Sequence, residues 1–91
     1  MSDINLTDTN AILAGLAEII DEIAGPRKNP VVLEASFDAD LDLDSLTMVE
    51  IIVAAEERFD IRIPDAAFAE LTTVGNAVEF IARSAAEKAS A

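Results

Sequence analysis

The sequence predicts an all-α fold: a four-helix bundle of three longer helices and one short one, with a long loop between helices one and two. Apolar residues recur at helical spacing in three separate stretches. Phe59-Asp60-Ile61-Arg62-Ile63-Pro64 alternates like a short strand, but proline stops it and no partner strand is evident. The 91 residues suit one domain spanning 1–91, with an ordered bundle over about 8–84 and a flexible tail over about 85–91.

The first helix is expected from about Asp8 to Ala24. Thr7-Asp8-Thr9 supplies N-cap candidates, and Ile12, Leu16, Ile19, Ile20 and Ile23 fall on one side, opposite Glu18, Asp21 and Glu22. Gly25-Pro26 ends it. From Pro26 to Leu43 two prolines, a small basic cluster (Arg27, Lys28) and an aspartate run argue against continuous helix or strand. Val31, Val32, Leu33 and Phe37 are expected to anchor this connection in the core. A loop of such length in a small domain points to function.

The second helix is expected from Ser45 to about Arg58, and it carries too many apolar residues for one stripe. At about 100° per residue, Met48, Ile51, Ile52, Ala55 and Phe59 cluster on one side. Leu46, Val49 and Val53 fall on another, beside Glu50, Glu56 and Glu57. Burying that second stripe would bury unpaired carboxylates as well, which is costly. It therefore reads as an exposed docking face for a basic, partly apolar partner. Asp65 is expected to cap a short helix, Ala66 to Leu71, with Phe68 and Leu71 inward. Thr72-Thr73 is expected to cap a last helix from Val74 to about Ser84, with Val74, Ala77, Val78 and Ile81 as its stripe and Phe80 beside them.

Composition excludes much. Without cysteine there is no disulfide framework or thiolate metal site, and without histidine the commonest general base and metal ligand are missing. A net charge of −12 repels nucleic acid and anionic membrane and attracts basic protein surfaces. With 52% apolar residues the chain is too hydrophobic for a disordered acidic tail. The N-terminus lacks a signal-peptide pattern, and no apolar run is long enough for a membrane span. A cytoplasmic monomer, without membrane insertion, is expected.

The aspartates at 38, 40, 42 and 44 lead into a single serine where loop becomes helix, beside unpaired N–H groups and the positive end of the helix dipole. As a nucleophile Ser45 lacks a base: there is no histidine, and Asp44 is too weak a base in such a setting. Ser45 remains open as a substrate for another enzyme. An EF-hand loop starting at Asp40 would need glycine sixth and glutamate twelfth, where Ser45 and Ile51 stand, so no metal site is assigned. By capping chemistry alone, Asp44-Ser45 also reads as a plain helix cap.

A wider pattern adds to this. Asp44-Ser45-Leu46, with Asp40-Leu41 before and Val49-Glu50-Ile51 after, resembles the attachment site of acyl carrier proteins. The likeness runs on through Ser36-Phe37, Glu56-Glu57-Arg58-Phe59, Ile63-Pro64-Asp65 and Leu71-Thr72-Thr73-Val74, covering most of residues 9–82. The wording from Asp44 to Asp65 is most similar to freestanding actinobacterial fatty-acid carriers.

The resemblance implies a non-enzymatic carrier with phosphopantetheine on Ser45, flanked by Asp44 and Leu46. A phosphopantetheinyl transferase would install the arm from coenzyme A, and its thiol would hold acyl chains as thioesters for fatty-acid or related polyketide synthesis. Partners would be acyltransferase, ketosynthase, reductase and dehydratase enzymes with basic docking patches. The resemblance also implies recognition through Leu46, Val49, Glu50, Val53, Glu56 and Glu57. It further implies that some of Ile51, Ile52, Ala55, Phe59, Ile63, Phe68, Leu71 and Ile81 line an acyl pocket. The chain departs from the family pattern at Thr47, where an acid is common, at Ala66, Ala67 and Ala69, and at Arg58 and Arg62, which add positive charge. An acidic helical interaction module without an arm is the alternative reading.

Overall fold

The computed structural model describes residues 9–25 and 30–90, with side chains as far as Glu87. Thr7 and Asp8, expected at the first cap, lie outside the described residues, as do Pro26 to Asn29 of the loop. Within α1 (Thr9–Ala24) the periodic residues Ile12, Leu16, Ile19 and Ile20 are buried. Burying each such side chain favours folding by about 1.5–3 kcal/mol. Gly25 ends the helix at φ 86°, donating its N–H to the Asp21 carbonyl at 3.0 Å. That left-handed cap is the place where glycine costs no strain.

α1 packs against α2 (Ser45–Phe59) and α4 (Val74–Ser90). Gly15 lets α2 come close: a Cβ there would lie 2.9 Å from Cζ of Phe59. On the facing side of α2, Met48, Ile51, Ala55 and Phe59 are buried. Among the described residues no charged or polar side chain is buried.

The connecting loop is anchored differently from expectation. Phe37 is buried and Val31 half-buried against the core, as expected, but Val32 and Leu33 are exposed, and Ala35, Leu41 and Leu43 enter the core in their place. A turn, Ala35 N–H to Val32 carbonyl at 3.0 Å, swings Val32 and Leu33 outward. The following residues are then stitched to the start of α4. Phe37 donates to the Thr72 carbonyl, and Val74 and Gly75 donate to the carbonyls of Ala35 and Leu33. An isolated antiparallel bridge, Ser36 with Thr73, is the sole β pairing among the described residues.

α2 runs one residue past the expected Arg58 and is closed by Asp60 at φ 57°. Beyond it Ile61 and Ile63 are buried while Asp60 and Arg62 are exposed. The alternation is real but forms no ladder, because the Ile63 N–H bonds to the Glu56 side chain instead.

α3 is shorter than expected, Asp65–Phe68. Asp65 is its first residue rather than its cap; Pro64 holds that position without a side-chain bond. The chain reaches Leu71 through three-residue turns, Glu70 N–H to Ala67 and Leu71 N–H to Phe68. Phe68 is half-buried and Leu71 buried.

Thr73 caps α4 reciprocally: its Oγ1 accepts from the Asn76 N–H at 3.1 Å, while Asn76 Oδ1 accepts from the Thr73 N–H at 3.1 Å. α4 continues to Ser90, beyond the expected end near Ser84. Ala85 is buried there, and the alanine-rich continuation has high helix propensity.

Candidate functional site at the start of the second helix

The loop delivers Ser45 by a sequence of fixed points. Asp40 clasps Ser36, accepting its N–H at 2.8 Å, and Leu43 donates to the Phe37 carbonyl at 2.9 Å. Asp42 adopts φ 54°, so the buried Leu41 and Leu43 flank a left-handed turn. Asp44 is then extended, and its Oδ1 accepts from the Thr47 N–H at 2.8 Å. The capping work belongs to Asp44 alone. Ser45, the first helical residue, is exposed and its hydroxyl is not spent on the cap.

Two further properties set Ser45 apart. Its own N–H and that of Leu46 have no acceptor within the helix, so they stand with the positive end of the dipole beside the Ser45 side chain. Ser36 contrasts with it: Ser36 Oγ lies 3.2 Å from Asp40 Oδ2 and accepts the Asp40 N–H at 3.1 Å. The Thr47 N–H, followed by the Thr47 hydroxyl, holds the Asp44 carboxyl below its ordinary value. A carboxylate kept ionised in that way is a poor base for the serine proton. Ser45 is presented, not activated.

Beside Ser45 lies a cleft of about 290 Å³, lined by Phe37, Leu43, Asp44, Ser45, Met48, Phe68, Ala69 and Leu71 among others. Of the residues expected around an acyl pocket, the structure brings only Phe68 and Leu71 to this cleft. Ile51, Ala55, Phe59, Ile63 and Ile81 are buried in the core, and Ile52 is half-buried against it. Phe37, Leu43 and Met48 complete the lining instead. Their signal in the sequence is the apolar residues framing the aspartate run.

The second stripe of α2 is solvent-facing, with Leu46 69% exposed and Val49 and Val53 each 48% exposed. Glu50 and Glu57 are exposed alongside it. Glu56, expected to join them, is half-buried: its Oε2 accepts the Ile63 N–H at 2.7 Å. Arg58 is turned toward α1, where its Nη2 meets Glu18 Oε1 at 2.7 Å. Among the described residues no group of three or more candidate ligands could hold a metal ion, and no helix is long and apolar enough to cross a membrane.

Known proteins match most of the chain in sequence. Residues 14–81 match a family described as a phosphopantetheine attachment site. The chain is 59% identical to the acyl carrier protein of Acidothermus cellulolyticus over 71 residues, covering 78% of this chain and 84% of that one. It is 49% identical to the acyl carrier protein of an Arthrobacter species over 81 residues, covering 89% of this chain and all of that one. The meromycolate extension acyl carrier protein of Mycolicibacterium smegmatis is 51% identical over 70 residues, covering 77% of this chain and 71% of that one.

Proposed function

The chain belongs to the acyl carrier protein family, and from that premise we propose that Ser45 is where its phosphopantetheine is attached. It is a carrier and not an enzyme, and its prosthetic group is held covalently. The observation that carries the assignment is the free, exposed hydroxyl of Ser45 at the first position of α2, next to an Asp44 that caps the helix by itself.

The residues present fit such a group. A phosphodiester on Ser45 would meet the unpaired N–H groups of Ser45 and Leu46 at the positive end of the helix, which favours an anion there. When bound, the arm supplies a terminal thiol able to hold an acyl group as a thioester. The chain's own contribution is to expose the hydroxyl to a phosphopantetheinyl transferase and to present a surface for the enzymes that act on the cargo.

For that surface the reading takes Leu46, Val49 and Val53 with Glu50 and Glu57. An apolar strip edged by carboxylates suits enzymes with basic docking patches, steering them to one arm and releasing them again. Ketosynthase, acyltransferase, reductase and dehydratase partners of fatty-acid synthesis, in a cytoplasmic setting, belong to the same reading. The names of the relatives, meromycolate extension carriers among them, support a lipid pathway.

Incubation with coenzyme A and a promiscuous transferase should add one phosphopantetheine mass to the chain and none to Ser45→Ala. A wild-type chain left unmodified while a control carrier is modified would overturn the assignment.

A further inference from the structure

Arg58 is the one basic side chain of α2, and it follows Glu57 directly. Its guanidinium reaches across to α1 and pairs with Glu18 at 2.7 Å. On its way the side chain passes Gly15, one turn earlier on α1: a Cβ at that position would lie 3.6 Å from Arg58 Nε, ordinary van der Waals contact. Both partners are well exposed, 43% and 62%, so the pair adds little to stability. Its effect is on where a positive charge sits.

We propose that Glu18 is a positioning residue for partner docking, holding Arg58 on the α1 side and keeping the exposed face of α2 uniformly acidic. This rests on the docking reading given above. Successive residues on a helix project about 100° apart, so Arg58 emerges one step round from Glu57, and a long, unrestrained side chain can swing back toward that edge. A cation there offsets part of the field that a basic enzyme meets on approach, and it repels the lysines and arginines of that enzyme. Glu18 biases the side chain toward α1 and so weakens both effects. The partner this surface fits is a protein with a compact basic patch, for which one displaced charge changes the rate of encounter.

The test measures association of the full chain with a phosphopantetheinyl transferase, read as kcat/KM at several ionic strengths. Glu18→Gln should slow association by up to about twofold at low salt, the effect of one weakly screened unit charge about 10 Å from a partner charge, and the difference should fade as salt rises. Glu79→Gln on α4 removes the same formal charge from an exposed site and should matter less. In an Arg58→Gln background, Glu18→Gln should add nothing beyond what Glu79→Gln adds, because the cation it positions is gone. Equal slowing by Glu18→Gln and Glu79→Gln, or a full Glu18→Gln effect without Arg58, would overturn the proposal. Slowing by Glu57→Lys with none by Glu18→Gln sinks this inference alone. If neither change slows the transferase, the docking reading falls with it.

Discussion

Two adjacent glutamates on α2 should behave as different kinds of residue. Glu56 is tied to the fold: its Oε2 accepts the Ile63 N–H at 2.7 Å, and Ile63 is itself buried. Glu56→Ala leaves that donor unpaired in a partly dry place, at a cost of about 1–3 kcal/mol. For a domain of this size each kcal/mol moves the melting temperature by about 4–8 °C, so a loss near 2 kcal/mol lowers it by roughly 10 °C. Glu56→Gln keeps an acceptor oxygen and should recover most of this. Glu57 is exposed, so Glu57→Ala should stay within about 0.5 kcal/mol of wild type. Partner association should reverse the order, with Glu57→Lys slowing it more than Glu56→Gln. Thermal melts followed by circular dichroism, beside transferase kinetics, measure stability and association in turn. Equal stability of Glu56→Ala and Glu57→Ala would refute the hydrogen-bond reasoning.

Other expectations follow from single contacts. Asp44 has a depressed carboxyl, so its contribution to stability is present above the ordinary carboxylate value and is lost as pH falls through the lower folded value. Asp44→Asn should therefore flatten the acid limb of a stability–pH curve below about pH 4 and leave the neutral region's slope unchanged. Gly15→Ala gains about 1 kcal/mol of helix propensity, but its Cβ would sit 2.9 Å from Phe59 Cζ, an overpacking that costs about 1–3 kcal/mol. A net loss near 1 kcal/mol is expected, and a stabilised variant would show that α1 and α2 slide apart freely. Asn76→Ala removes the acceptor for the Thr72 and Thr73 N–H groups and should cost about 1 kcal/mol, seen as a lower denaturation midpoint.

The helices were legible because burial repeats at their own period: Ile12, Leu16, Ile19 and Ile20 on α1, or Met48, Ile51, Ala55 and Phe59 on α2, need no tertiary knowledge to place. The exposed stripe was legible for a related reason, since carboxylates beside Leu46, Val49 and Val53 forbid burial. The loop was not. Whether Leu33 or Leu43 enters the core depends on a turn at Val32 and on bonds to Thr72 and Val74, partners far along the chain. Glu56 escaped for a similar reason. Its place on the helix is fixed by period, but its bond to Ile63 exists only because Asp60 turns the chain back at φ 57°. At the site, residue type alone left Ser45 open as cap or as presented hydroxyl. The Asp44 bond to Thr47 shows Asp44 capping the helix by itself.

The chain contains five serines, at positions 2, 36, 45, 84 and 90. Peptide fragmentation of the transferase-treated protein reads which one bears the added mass. The arm should be found on Ser45 alone. Its recovery on Ser36, whose hydroxyl is held against Asp40, or on any other serine would contradict the account.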